Sequence, residues 1–279
     1  MILLLACTGV SDEAVLPQDS ELHPAMGTWA QVSAASISTC ARAHDGRVAC
    51  WGSNNFGETS VVDGLLATDV SAGLRTSCAV DLDGALVCWG DSHMGDPPSG
   101  TFVQVRVAPL RACAVGTDGG LACWGEGGDD APEGDWLVVD VGSGFGCALS
   151  VDGAVSCWGL ESPEGLFTAL DAGEHHVCGL LEDGSIRCWG DDGDGRLDAP
   201  EGSFEVVTAG AYHGCSLVFD AALCWGAEGQ VNFGQVPAAG GSYRALTAGG
   251  WHNCAVTTLG ELECWGADNA GQASPPSEP

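Results

Sequence analysis

The sequence predicts an all-β fold, a seven-bladed β-propeller, and three observations lead there. The tripeptide Cys-Trp-Gly recurs seven times in 279 residues, beginning at Cys50, Cys88, Cys123, Cys157, Cys188, Cys224 and Cys264, at spacings of 31 to 40 residues. A second Cys precedes each one by ten residues, or by nine in the sixth repeat: Cys40, Cys78, Cys113, Cys147, Cys178, Cys215 and Cys254. No stretch competes with a helical period. A self-similar unit of this length cannot bury its apolar face alone and stacks on its copies, and radial repetition of small antiparallel sheets is a propeller.

The first strand of each unit lies before the first Cys, as in Trp29-Ala-Gln-Val-Ser-Ala and Tyr243-Arg-Ala-Leu-Thr-Ala-Gly. The second and third form a hairpin between the paired Cys. In Cys78-Ala-Val-Asp-Leu-Asp-Gly-Ala-Leu-Val-Cys88 a three-residue loop ending in Gly84 sets Val80 opposite Leu86 and Cys78 opposite Cys88. Such loops need a left-handed third residue, which favours Gly, and Gly46, Gly84, Gly119, Gly153, Gly184 and Gly260 stand there. The sixth repeat lacks the Gly and is one residue shorter, with Phe219-Asp220 at its tip. A two-residue loop keeps Cys215 opposite Cys224, so the deletion and the missing Gly explain each other. Opposed strand residues lie about 4.5–5.5 Å apart at Cα, within reach of a disulfide. Zinc is the alternative, but thiolate zinc sites favour close Cys-x₂-Cys pairs. The expectation is therefore seven disulfides, one per unit.

The remaining Cys of the 15 is Cys7, in Leu4-Leu5-Ala6-Cys7. These residues resemble the lipobox of bacterial lipoproteins, in which the Cys is lipidated after cleavage. The apolar run is shorter than a full signal segment and lacks its basic start. The expected organisation is a signal segment over 1–7, a flexible polar tether over 8–26, the propeller over 27–273 and a short tail over 274–279. Dense paired Cys indicate an oxidising compartment. The expected location is the bacterial cell envelope, with the membrane reached only through a lipid anchor on Cys7, or secretion.

The net charge is −30, from 38 acidic residues against 8 Arg and no Lys. Nucleic-acid affinity comes mostly from cations that neutralise phosphates, so nucleic acid is a poor partner for such a chain.

The run Ala248-Gly249-Gly250-Trp251-His252-Asn253-Cys254-Ala255-Val256, then Gly260, then Cys264-Trp265-Gly266, resembles the regulator-of-chromosome-condensation repeat. The resemblance covers about 29–272 and implies a seven-bladed propeller without fixing function. The founding members act in the nucleus on a small GTPase and chromatin. This acidic, Cys-paired chain is closer in setting to secreted bacterial members.

Strand direction places the loop before each first Cys and the loop after each Cys-Trp-Gly at one end of the disc, with the Asp-Gly tips at the other. Phe145, His175, Tyr212 and Trp251 from repeats four to seven are the expected binding rim, because exposed large aromatics mark interaction surfaces. His176, His213 and His252 align between repeats and match the family's structural His, so no metal site is expected from them. The seven Trp of Cys-Trp-Gly read as packing residues. Asp191, Asp192, Asp194 and Asp198 alternate like a calcium loop but lack its later acidic residue and flanking helices. No nucleophile elbow, zinc-protease motif or phosphate loop occurs, and no cofactor is expected. The favoured function is a monomeric, non-enzymatic protein- or peptide-binding module. A carbohydrate-binding propeller, one cleaving sugars with a carboxylate pair in its channel, and a structural surface protein are the alternatives.

Overall fold

The computed structural model describes residues 28–127, 130–236 and 240–278; Cys7 and the expected tether lie outside the described residues. Within these residues the strands form seven three-stranded antiparallel sheets, each from consecutive strands. The inner strands, which line the channel, are Trp29–Ala34, Ala67–Ser71, Phe102–Val107, Trp136–Val141, Phe167–Ala172, Val206–Ala209 and Tyr243–Ala248. The middle strands carry the first Cys of each pair: Ser38–Ala43, Thr76–Asp81, Arg111–Gly116, Gly146–Ser150, His176–Leu181, His213–Val218 and His252–Thr257. The outer strands carry the second: Val48–Gly52, Leu86–Gly90, Leu121–Gly125, Val155–Trp158, Ile186–Gly190, Ala221–Gly226 and Leu262–Gly266. The expected seven-bladed propeller is the observed fold. No described helix is long and apolar enough to cross a membrane.

All seven intrablade disulfides form, from Cys40–Cys50 to Cys254–Cys264. Their register is as the hairpin predicts, Cys opposite Cys in each blade. Gly84 sits at φ +85 at its tip, whereas the short sixth tip puts Phe219 and Asp220 at φ 48 and 64. Two consecutive left-handed residues define a type I′ turn, so the expected two-residue loop forms with a bulky side chain in a region it rarely occupies.

No strand is shared between blades, so hydrogen bonds between neighbours hold the disc together, in two circles and a third set that spans four of the seven junctions. At the tip end, the first residue of each inner region donates its N–H to the tip carbonyl of the preceding blade. Ala67 bonds to Gly46, Phe102 to Gly84, Tyr243 to Asp220, and Trp29 to Gly260 across the closure. Inside the channel, the inner-strand residue facing the first Cys offers a side-chain oxygen to the next blade's backbone. Ser33 accepts from Ala72, Ser71 from Val107, Asp140 from Ala172, Asp171 from Ala209, Thr208 from Ala248, and Thr247 from Ala34. Arg106 holds the remaining place and has no acceptor to give; Val141 N–H bonds instead to Asp140. Toward the other end, indole N–H groups reach carbonyls of the preceding blade's long loop: Trp89 to Glu58, Trp225 to Arg196, Trp265 to Gln235 and Trp51 to Gln272. Apolar clusters fill each junction, and Trp29, Val32, Ala41 and Ala43 pack on Cys254 and Val256 to close the ring.

Removing one staple leaves these circles intact. The double substitution Cys215→Ala/Cys224→Ala is expected to lower unfolding free energy by about 2–3 kcal/mol, the chain-entropy value for so short a loop. Denaturant titration measures this. Non-reducing peptide mapping should still recover six intrablade pairs, and a link between blades would contradict the fold.

Candidate functional site

The loops before the first Cys and after Cys-Trp-Gly share one end of the disc, joined by a repeated bond. Ser53 N–H meets Ile37 O, Asp191 meets His175, Ala227 meets Tyr212, and Ala267 meets Trp251. The Ala-Gly of the repeat is a close-approach device at this mouth. A Cβ on Gly173 would lie 1.9 Å from Gly210 O, and one on Gly210 would lie 2.3 Å from Gly249 O. The crowding leaves a cavity of only ≈ 70 Å³ among these loops, and the Ser36 hydroxyl donates across it to the Glu174 carboxylate.

On the rim around this mouth, Tyr212 and Trp251 stack with ring centroids 5.6 Å apart and planes 27° apart. The Arg196 guanidinium lies 5.4 Å from the Tyr212 ring centroid. Both rings are half-buried, each shielding one face of the other, and His175 in the next blade is exposed beside Glu174. Phe145 does not join them. It is 4% exposed and packs with Cys147, Leu149 and Val177 in the core. Its repeat column is that of His176, His213 and His252, whose side chains turn inward between blades; the outward column holds Gly144 in that blade. The expected four-residue arc is corrected to three.

The acidic loop that resembles a calcium site is filled from within. Arg196 is buried and bonds to Asp194 at 2.9 Å, to Gly193 O and to Ala211 O at 3.0 Å, with Asp191 at 4.0 Å, so a guanidinium already pairs with two of the four carboxylates. Within the described residues no cluster of His, Cys, Asp and Glu could hold a metal ion.

The three aligned His are fully buried. His213 Nε2 pairs with Asn253 Oδ1 and His252 Nε2 with Thr39 Oγ1, each in the next blade. His176 faces a blade with Gly214 at the equivalent place, and neither of its nitrogens has a partner. Burial holds all three well below the usual His range, to about 3, 4 and 3 for His176, His213 and His252.

The channel proper is a polar cavity of ≈ 230 Å³ lined by Gln31, Ser71, Arg106, Asp140, Asp171 and Thr247, among others. Asp140 and Asp171, from adjacent blades, both line this cavity. Burial, and then the charge of Asp140, pushes Asp171 well above the carboxylate range; burial raises Asp140 despite Arg106. A glycosidase pair stands roughly 5–9.5 Å apart with oxygens free for substrate. Here oxygens of both groups are taken up by the N–H groups of Val141, Ala172 and Ala209. Sequence reasoning kept a channel carboxylate pair only as an alternative, without naming its residues, and missed the use of Asp140 and Asp171 as interblade pins. The legible signal was a polar residue directly before the apolar residue or Ala-Gly that ends each first strand.

Strand order and register define a seven-bladed β-propeller. Residues 67–96 and 167–196 match the Regulator of chromosome condensation (RCC1) repeat, and the chain is a propeller carrying repeats of that type. No curated protein sequence matches it. The CRINKLY WD40 ectodomain of the Arabidopsis thaliana receptor kinase ACR4 is similar at TM-score 0.70 and 25% identity, over 86% of this chain and 99% of that one. The entire ectodomain of the Physcomitrella patens receptor kinase CR4 is similar at TM-score 0.74 and 23% identity, over 86% of this chain and 74% of that one. Prp20p from Saccharomyces cerevisiae, whose structure was described with its binding to Gsp1p and histones, is similar in fold at TM-score 0.53 and 15% identity, over 89% and 74%.

The shifted groups set opposing pH responses. The three His stay neutral in the fold, so their stabilisation is complete above about pH 6.5 and is lost as pH falls toward 3–4, by about 1.4 kcal/mol per pH unit for each His. The raised Asp171 contributes in the other direction: its stabilisation is present in acid and lost as pH rises through its folded pKa. Asp171→Asn keeps an acceptor for Ala209 and removes that loss. Urea denaturation is expected to find the variant equal to wild type near pH 4 and increasingly more stable toward pH 8.

Proposed function

We propose that this propeller is an extracytoplasmic protein- or peptide-binding module that engages its partner on the rim formed by His175, Tyr212 and Trp251. The observation that carries the reading is the stacked Tyr212–Trp251 pair. Two large aromatics from adjacent blades are held face to face over Arg196 on a rigid, disulfide-stapled scaffold. Tyr and Trp offer contact area at low entropy cost and dominate interface hot spots. Seven disulfides fit an oxidising compartment, and two of the similar structures are receptor ectodomains. Anchoring through a lipidated Cys7 at a bacterial envelope, with 8–26 as tether, completes the reading and rests on the lipobox-like residues alone.

Trp251→Ala is expected to weaken capture of a host-envelope protein by about thirty-fold, the equivalent of roughly 2 kcal/mol, with unchanged melting temperature. A lowered melting temperature with undiminished capture would overturn the rim. Intact-mass analysis of the exported chain is expected to show acyl adducts on Cys7; an unmodified thiol there would remove the anchor while leaving the rim untouched.

A further inference from the structure

The opposite face of the disc carries features that the rim does not use. The tip-end circle of hydrogen bonds, from Ala67–Gly46 round to Trp29–Gly260, holds the seven hairpin tips and the starts of the inner strands in one layer. Most of the large apolar side chains that the described residues expose are gathered there. Leu82, Val151, Phe219 and Leu259 stand on the tips, and Val103 and Leu137 occupy unpaired bulge positions beside the channel. Phe219 is 90% exposed and Leu259 is 77% exposed, in adjacent blades.

Phe219 costs the fold twice. It sits at φ 48, where a β-carbon is disfavoured, and its ring meets water instead of a neighbour. The turn needs neither feature, since Asn or Gly suits both positions of a type I′ turn. A strained, solvated aromatic is the kind of outlier from which a functional role is inferred.

Charge identifies the occupant. Between the apolar side chains stand the exposed tip carboxylates Asp83, Asp118, Asp152, Asp183 and Asp220, with Asp45 paired to Arg47. Of the other Arg toward this end, Arg244 donates to Trp29 O and Arg187 to Glu164 O. An apolar surface studded with acids repels a second copy of a chain of net charge −30, as it repels anionic lipid and nucleic acid. We propose that the hairpin-tip face docks a cationic amphipathic segment of another protein. Its apolar side chains would cover Phe219, Leu259 and the bulge residues, and its Lys or Arg would meet the tip carboxylates.

The test uses an amphipathic Lys–Leu peptide and its Glu–Leu counterpart, with binding followed by fluorescence anisotropy at low and physiological salt. The Lys–Leu peptide is expected to bind and to weaken with salt, and the Glu–Leu peptide is expected not to bind. Phe219→Asn with Leu259→Ser leaves the charge unchanged and is expected to reduce affinity at least tenfold. Phe219→Asn alone should melt at or above the wild-type temperature, because it relieves the left-handed strain. Trp251→Ala should leave this binding unchanged, which separates the tip face from the rim. Undiminished peptide binding to the tip variant, or loss of binding in Trp251→Ala, would overturn the proposal. So would wild-type self-association, or adsorption to phosphatidylcholine vesicles, that the tip substitutions abolish.

Discussion

The disc depends on hydrogen bonds that cross from blade to blade, because no strand is shared across a junction and the apolar packing there has no direction of its own. A three-stranded sheet of five- and six-residue strands is marginal alone, and each blade here is apolar on both faces. Every blade must therefore be held against two neighbours. The channel circle does this with the least material. One side-chain oxygen per blade, from Ser, Thr or Asp, takes the next blade's backbone N–H, and the last link, Thr247 to Ala34, joins the two ends of the chain. The single irregularity is electrostatically consistent. Arg106 cannot accept, but it ion-pairs with Asp69 at 3.1 Å and supplies the one cation near Asp140 and Asp171. Three carboxylates in one narrow channel would otherwise be hard to keep.

The disulfides act at right angles to these circles. Each closes a hairpin within one blade and none crosses a junction, so they reduce the freedom of the unfolded chain without contributing to ring closure. This division leaves the loops at both ends open to change. The long loops ending in buried Glu58, Arg196, Gln235 and Gln272 serve the next blade's indole through a backbone carbonyl, a duty any side chain could discharge. Blades two to four have shorter or different loops there, and Trp158 and Trp189 Nε1 are left without partners. The Tyr212–Trp251 stack sits among long-loop blades, where its support from below is complete.

How much of this the sequence discloses depends on whether a feature is covalent and local or depends on neighbours. The disulfides were legible because a Gly at each tip fixes the register and a ten-residue separation then sets Cys against Cys; even the sixth blade's exception followed from one missing residue. Blade number followed from counting Cys-Trp-Gly. The channel circle was not legible as a motif, since its members share an acceptor oxygen and a position rather than an identity. Phe145 was misread because aromatic character was weighed above repeat column. The column of the aligned His turns inward whatever occupies it, and the neighbouring Gly144 is what faces out. The Tyr212–Trp251 contact needed two blades side by side, although both residues were identifiable from their column.

The surface charge has a sharper meaning once the eight Arg are placed. Arg47, Arg75, Arg106 and Arg196 are in ion pairs with carboxylates. Arg42, Arg187 and Arg244 donate to Gln31 or to backbone carbonyls, and Arg111 is buried. The chain's cations are thus spent on its own structure, and there is no Lys to add. What the disc offers to a partner is carboxylate and apolar surface at both ends. Attraction over distance then favours a cationic partner on either face, so charge alone cannot choose between rim and tips. The choice falls to shape and apolar contact. On the rim that is a pair of aromatic rings already packed on each other, and on the tip face a dispersed set of side chains whose most exposed member is kept there against its backbone preference. The first is preorganised for one defined contact, whereas the second suits a segment that adapts its side chains to a broad, nearly flat layer.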